Sequence, residues 1–118
     1  MDNNNTFNKL KIILNQFEQN LSVIHDRADN YYLNTPTTGS NKKAEFFGAV
    51  QIKKSYVSFH LMPVYYYPNL LDDISTELKK QMQGKSCFNF KLIDENLFSE
   101  LNALTKIAFE KYKALNKV

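Results

Sequence analysis

Cysteine, glycine, proline and arginine are all scarce in this chain, and tryptophan is missing altogether. The lone cysteine, Cys87, excludes an intramolecular disulfide and a cysteine-rich metal site, so a reducing cytoplasm is the expected compartment. Three glycines and three prolines leave little room for long linkers. With Arg27 as the only arginine, the net charge of +3 comes from lysines spread along the chain, and Lys42-Lys43, Lys53-Lys54 and Lys79-Lys80 are isolated pairs. Nucleic-acid binders concentrate Lys and Arg on one stripe, so these pairs read as solvated surface and no nucleic-acid partner is expected. No apolar run approaches the roughly 20 residues of a membrane span, and Met1–Asn5 has neither region of a signal peptide. GxGxxG, P-loop and HExxH motifs are absent too, which leans against an enzyme.

What is present is apolar and aromatic. Hydrophobic residues make up 43% of the 118, enough to place the chain in the globular class as one domain. Residues 1–5 are expected to fray, and 6–115 to form the domain. Thr6 is placed to cap a first helix carrying Phe7, Leu10, Ile13, Leu14, Phe17 and Leu21 at helical spacing. Leu21–His25 and Tyr31–Asn34 read as short strands around the polar run Asp26–Asn30, and Thr35–Lys43 as an exposed loop.

The tract from Phe46 to Leu61 predicts a hairpin. With Lys53-Lys54 as a two-residue turn, Val50 faces Val57, Gly48 faces Phe59 and Phe46 faces Leu61, which makes one face apolar. The other face then carries Phe47, Ala49 and Gln51 beside Tyr56, Ser58, His60 and Met62. Ser75 caps a middle helix that Gly84 closes, and Ser86–Lys91 is a strand with Phe88 and Phe90 on one side. Asp94 opens a last helix with Leu97, Leu101, Leu104, Ala108, Tyr112 and Leu115 as its core stripe, and Ile93 placed to staple onto Phe98. The order α-β-β-β-β-α-β-α is that of an α+β domain, with a mostly antiparallel sheet of about five strands and its helices on one face.

Few residues invite chemistry. If the strand at Ser86–Lys91 joins the sheet, His60, Ser58, Cys87 and Asn89 approach one another, and an imidazole beside a thiol can generate a thiolate. No protease signature surrounds Cys87, so a packed structural cysteine is expected and no catalytic residue is assigned. Asp72, Asp73 and Glu77 form an acidic group at a helix start; capping explains it, and weak cation binding is the alternative. The aromatics exceed what the core requires. Phe47, Tyr56 and the Tyr65-Tyr66-Tyr67 triplet, with Tyr31 and Tyr32, suit an interface or a small-ligand pocket.

The run Phe-Phe-Gly-Ala-Val at 46–50, the return strand Tyr-Val-Ser-Phe-His-Leu-Met-Pro at 56–63, and Gly-Lys-Ser-Cys-Phe-Asn-Phe at 84–90 resemble the YdhG-like family of small bacterial domains of unknown function. The resemblance covers about residues 46–112. It implies no agreed activity, although some members have been proposed as frataxin-like iron carriers. Here an iron site would be assembled from Asp26, Asp29, Asp72, Asp73 and Glu77. The expectation is therefore a cytoplasmic, non-enzymatic binding module without a predicted cofactor, acting through a polar-aromatic sheet face made of Phe47, Tyr56, Ser58, His60 and Tyr65–Tyr67. Its expected partner is a small metabolite, another protein or itself as a dimer; iron carriage is the alternative, and a Cys87-dependent enzyme the remaining one.

Overall fold

A computed structural model of the chain describes residues 3–36 and 43–118; most of the loop expected at Thr35–Lys43 and the first two residues lie outside them. Five strands form one antiparallel meander in chain order: β1 (Ser22–Arg27), β2 (Asn30–Asn34), β3 (Phe46–Ile52), β4 (Val57–Leu61) and β5 (Cys87–Phe90). The helices are α1 (Asn3–Asn15), the short α2 (Pro63–Tyr66) and α3 (Thr76–Lys79), and the long α4 (Glu95–Ala114). The α+β architecture and element order agree with the sequence pattern, α2 being an additional turn.

One apolar cluster joins the helices to one face of the sheet. Leu10 and Leu14 of α1 meet Leu101, Ala108 and Tyr112 of α4 over Tyr31, Leu33, Val50, Phe59, Leu61, Phe88 and Phe90. Burial at this level, at about 25 cal/mol per Å² of apolar surface, is the main force holding the two layers together. Thr6 falls inside α1, which starts at Asn3, and α1 stops at Asn15, before Phe17 and Leu21. Phe17 nonetheless stacks on Phe109 of α4, with ring centroids 4.7 Å apart. In α4, Phe98, Thr105 and Phe109 join the buried stripe, whereas Leu115 stands beyond the helix end and is exposed. Phe98 packs edge-on against Phe90, and Ile93 stays exposed.

Two capping expectations hold. The Ser75 hydroxyl accepts from Leu78 N, and the Asp94 carboxylate accepts from Leu97 N. Ser75 is also tied across the layer, since its backbone N–H and its hydroxyl both donate to the Glu100 carboxylate of α4. Gly84 has the expected left-handed φ of +84°, but α3 ends at Lys79 with Lys80 as its C-cap, so Gly84 bends the segment after the helix and does not close it.

The β3–β4 register differs from the expected one by two residues. Ile52 pairs with Val57, Val50 with Phe59 and Gly48 with Leu61, leaving Lys53–Tyr56 as the loop. Two-residue hairpin turns want Gly or Asn at positive φ, and Lys53-Lys54 offers neither, so the chain takes the longer loop. A slip of two keeps every side chain on its face, so the apolar and polar faces of β4 stand as expected. Gly48 lies beneath α1 instead of beneath an aromatic ring. A Cβ built on Gly48 would stand 2.8 Å from the His60 carbonyl oxygen and 3.2 Å from Leu14 Cδ2, so a side chain has no room.

A bulge changes the other end of β3. Leu33 pairs with Gly48 while Asn34 pairs with Phe46, so Phe47 is the extra residue. Phe47 therefore turns into the core, 0% exposed and edge-on to both Phe109 and Tyr112. Phe46 turns the opposite way and stacks on Tyr32, centroids 4.7 Å apart. The expected orientation of these two phenylalanines is thus reversed.

Candidate functional site

Alternation along each strand leaves a second face, on which no helix of the described residues packs. Cross-strand pairing arranges its side chains in two rows, each crossing all five strands. One row runs Arg27, Asn30, Gln51, Ser58, Asn89. The neighbouring row runs His25, Tyr32, Ala49, His60, Cys87, with Phe46 added by the bulge. Neither row contains an Asp or a Glu.

The aromatic row is a chain of ring contacts. His25 meets Tyr32 edge-on at 5.7 Å, Tyr32 stacks on Phe46, and Phe46 meets His60 at 6.4 Å. The amide row is hydrogen-bonded within itself: Gln51 Nε2 donates to Asn30 Oδ1 at 3.2 Å, and Ser58 Oγ to Asn89 Oδ1 at 2.8 Å.

The sequence placed His60, Ser58, Cys87 and Asn89 close together if β5 joined the sheet, and they are adjacent. Their arrangement does not favour thiolate chemistry. The Cys87 thiol donates to Asn89 Oδ1 at 3.2 Å, while His60 Nε2 lies 4.0 Å from Sγ. Burial pushes the Cys87 thiol pKa above its ordinary 9.0, against smaller opposing effects of Ser58 and Lys53. Burial, then the Lys53 ammonium, lowers the His60 pKa below 6.5. Both shifts favour neutral thiol beside neutral imidazole at pH 7, the reverse of an activated pair.

The remaining expected site residues lie in different places. Tyr56, in the β3–β4 loop, lines a groove of about 520 Å³ with Gln81, Gln83, Asn89, Lys91 and Leu97, continuing the open face at its β5 corner. Gln81 and Gln83 reach it because their segment extends the sheet: Asn89 N donates to Gln81 O, and Gln83 N to Cys87 O. Phe47 is in the core and offers no surface. The tyrosine triplet belongs to the helix layer. Tyr65 and Tyr66 are 48% and 57% exposed, and Lys111 of α4 stands over the Tyr67 ring. Tyr66 and Tyr67 lie near the buried Tyr112 hydroxyl, whose pKa is raised by burial first, then by Glu45 and these two tyrosines. Tyr65 lines a separate groove of about 550 Å³ with Leu71, Asp72, Lys79 and Met82.

The acidic candidates diverge as well. Asp72 lines the Tyr65 groove, Asp73 a groove with Ile74 and Ile107, and Glu77 a third with Ser75 and Glu100. Asp26 is paired with Lys11 at 2.7 Å. Among the described residues no three His, Cys, Asp or Glu side chains converge as a metal site would need.

Arg27, Asn30 and His25 were not read as binding residues, and Tyr32 only as one of the surplus aromatics. The signal was available in β2, where Asn30-Tyr31-Tyr32-Leu33-Asn34 alternates so that Tyr31 and Leu33 point inward and Tyr32 outward. Among the described residues no helix is long and apolar enough to cross a membrane. No protein-family model matches this chain, and no curated protein or solved structure is measurably similar to it.

Proposed function

We propose that this chain is a cytoplasmic, non-enzymatic binding module that works through the open face of its sheet. The observation that carries the reading is the pair of registered rows, aromatic beside amide, on the face without a helix. Folding alone does not call for them: a helix-free face needs only polar side chains, yet this one carries Tyr32, Phe46 and His60 in a line. The neutral Cys87–His60 pair supports binding over nucleophilic catalysis. The groove at the β5 corner falls within the roughly 300–1,000 Å³ of small-ligand sites, so the face suits a small molecule or the surface of another protein. The motif resemblance to YdhG-like domains belongs to the same reading and brings no activity that conflicts with it.

The test is a fragment screen followed by amide chemical shifts in ¹⁵N-labelled protein. Hits are expected to move Asn30, Tyr32, Gln51, His60, Cys87 and Asn89. Hits confined to the Tyr65–Lys79 groove or to α1 and α4 would refute the open face as the binding surface.

A further inference from the structure

We infer that the free edge of the sheet, strand β1, is a contact between two copies of this chain, paired β1 to β1 in antiparallel fashion. This contact is separate from whatever the open face binds. The chain treats its two sheet edges differently. Outside β5, Gln83 N donates to Cys87 O and Asn89 N to Gln81 O, so part of that edge is covered by the chain's own backbone. β1 pairs with β2, and among the described residues no segment bonds to its outer side. An uncovered edge presents backbone donors and acceptors whose complement is another strand. The helix layer also stops short of β1: Val23 is 41% exposed, whereas Leu33 across from it is fully buried. Ile24 is 46% exposed as well, so a neighbouring strand would bury apolar surface here.

The bulge in β1 says which strand fits. Cross-strand partners share a face, so Ser22, His25 and Arg27 lie on the open side with Asn34, Tyr32 and Asn30. Val23 and Asp26 lie on the helix side with Leu33 and Tyr31, and Ile24 is the extra residue. Along the strand the order is open, helix, bulge, open, helix, open. A regular strand laid residue against residue matches one half of that order and mismatches the other. A second β1 running the opposite way matches both halves. Ser22 then faces Arg27, Val23 faces Asp26 and Ile24 faces His25, each twice about a two-fold axis. Charge does not choose this partner, because both signs surround the edge: Lys11 is bound to Asp26 at 2.7 Å, Glu18 accepts from the Tyr31 hydroxyl, and Asp29 follows Arg27 in the turn. Nor does charge oppose it, since Asp26 meets Val23 and Arg27 meets Ser22, and neither faces a like charge. The two sheets become one, with both open faces on the same side. A six-residue edge is small beside the roughly 1,200–2,000 Å² of stable interfaces, so the dimer is a reversible one.

The test is a dilution series of the full chain from about 1 mM to about 10 μM, the range of a weak contact, read by sedimentation and by ¹⁵N amide shifts. The expected result is a monomer–dimer equilibrium whose concentration-dependent shifts centre on Val23–Asp26. Ile24→Lys puts a charge at the middle of the edge, next to its own copy, and is expected to weaken the dimer at least about tenfold. Its circular dichroism should match the parent, since Ile24 is outside the core. Ser22 reads the register without touching the core. Ser22→Glu, facing Arg27 of the other copy, is expected to tighten the dimer about fivefold through two cross-strand ion pairs, and Ser22→Lys to weaken it by a similar factor. A monomer throughout the series overturns the inference, as does a dimer whose shifts fall on the helix layer or on β3–β5. An unchanged dimer in Ile24→Lys, or equal effects of Ser22→Glu and Ser22→Lys, also overturns it.

Discussion

Exchanging the roles of two adjacent phenylalanines is the strictest test of the bulge that shapes the open face. Phe47 is fully buried and edge-on to Phe109 and Tyr112 at 6.1 and 5.9 Å, whereas Phe46 is half-buried on the other side against Tyr32 and His60. Removing a core phenylalanine costs about 3–5 kcal/mol, the lost transfer energy plus the cavity left behind. A domain of this size has only about 5–15 kcal/mol in total, so Phe47→Ala should be barely stable. Phe46→Ala removes one stacked neighbour on a surface and should cost about 1 kcal/mol. Urea unfolding followed by far-ultraviolet circular dichroism measures both, with the parent and Phe47→Leu as references. At about 4 °C per kcal/mol the melting temperatures should differ by roughly 10 °C. Equal losses, or a larger loss for Phe46→Ala, would show that β3 alternates without the bulge. Phe47 would then return to the open face and Phe46 to the core.

Three further outcomes follow from the packing and the titrating groups. Gly48→Ala should destabilise by about 1–3 kcal/mol, because the added methyl meets the fixed His60 carbonyl as well as Leu14; an unchanged urea midpoint would remove the close approach. Glu100→Ala should cost about 2 kcal/mol by stripping Ser75 of its charged acceptor, against almost nothing for exposed Glu110→Ala; equal effects would mean that the α3–α4 tie carries no weight. The pH profile follows from His60. Its folded pKa lies below 6.5, so the unfolded chain takes up the proton first and stability is lost as pH falls through that window. The urea midpoint should therefore rise between pH 5 and 7, and rise less in His60→Gln; identical slopes would contradict the burial of the imidazole.

The sheet and its polarity were legible in the sequence wherever a single period decided the outcome. Val50, Val57 and Phe59 share a face under either loop length, because a two-residue slip preserves alternation. The same invariance brought Ser58, His60, Cys87 and Asn89 together. The bulge was not legible: two consecutive phenylalanines satisfy the hydrophobic pattern in either orientation, and only the pairing of Asn34 with Phe46 decides between them. The rows across the sheet were hidden for a related reason. Arg27 and Gln51 lie 24 positions apart and meet through Asn30, so the amide row exists only once β1, β2 and β3 are in register. The tyrosine triplet was misplaced because Pro63 starts a helical turn that carries Tyr65–Tyr67 over to the helix layer.

The central claim, that the open sheet face is the binding surface, is met most directly by a photocrosslinking amino acid placed at Tyr32 on that face, and in a second variant at Ile12 on the exposed side of α1. Each variant is irradiated in bacteria producing it, and the purified protein is weighed intact. The account predicts an adduct of defined mass, from a small ligand or a protein, at position 32 and none at position 12. Adducts at position 12 alone, or equally at both, would contradict it.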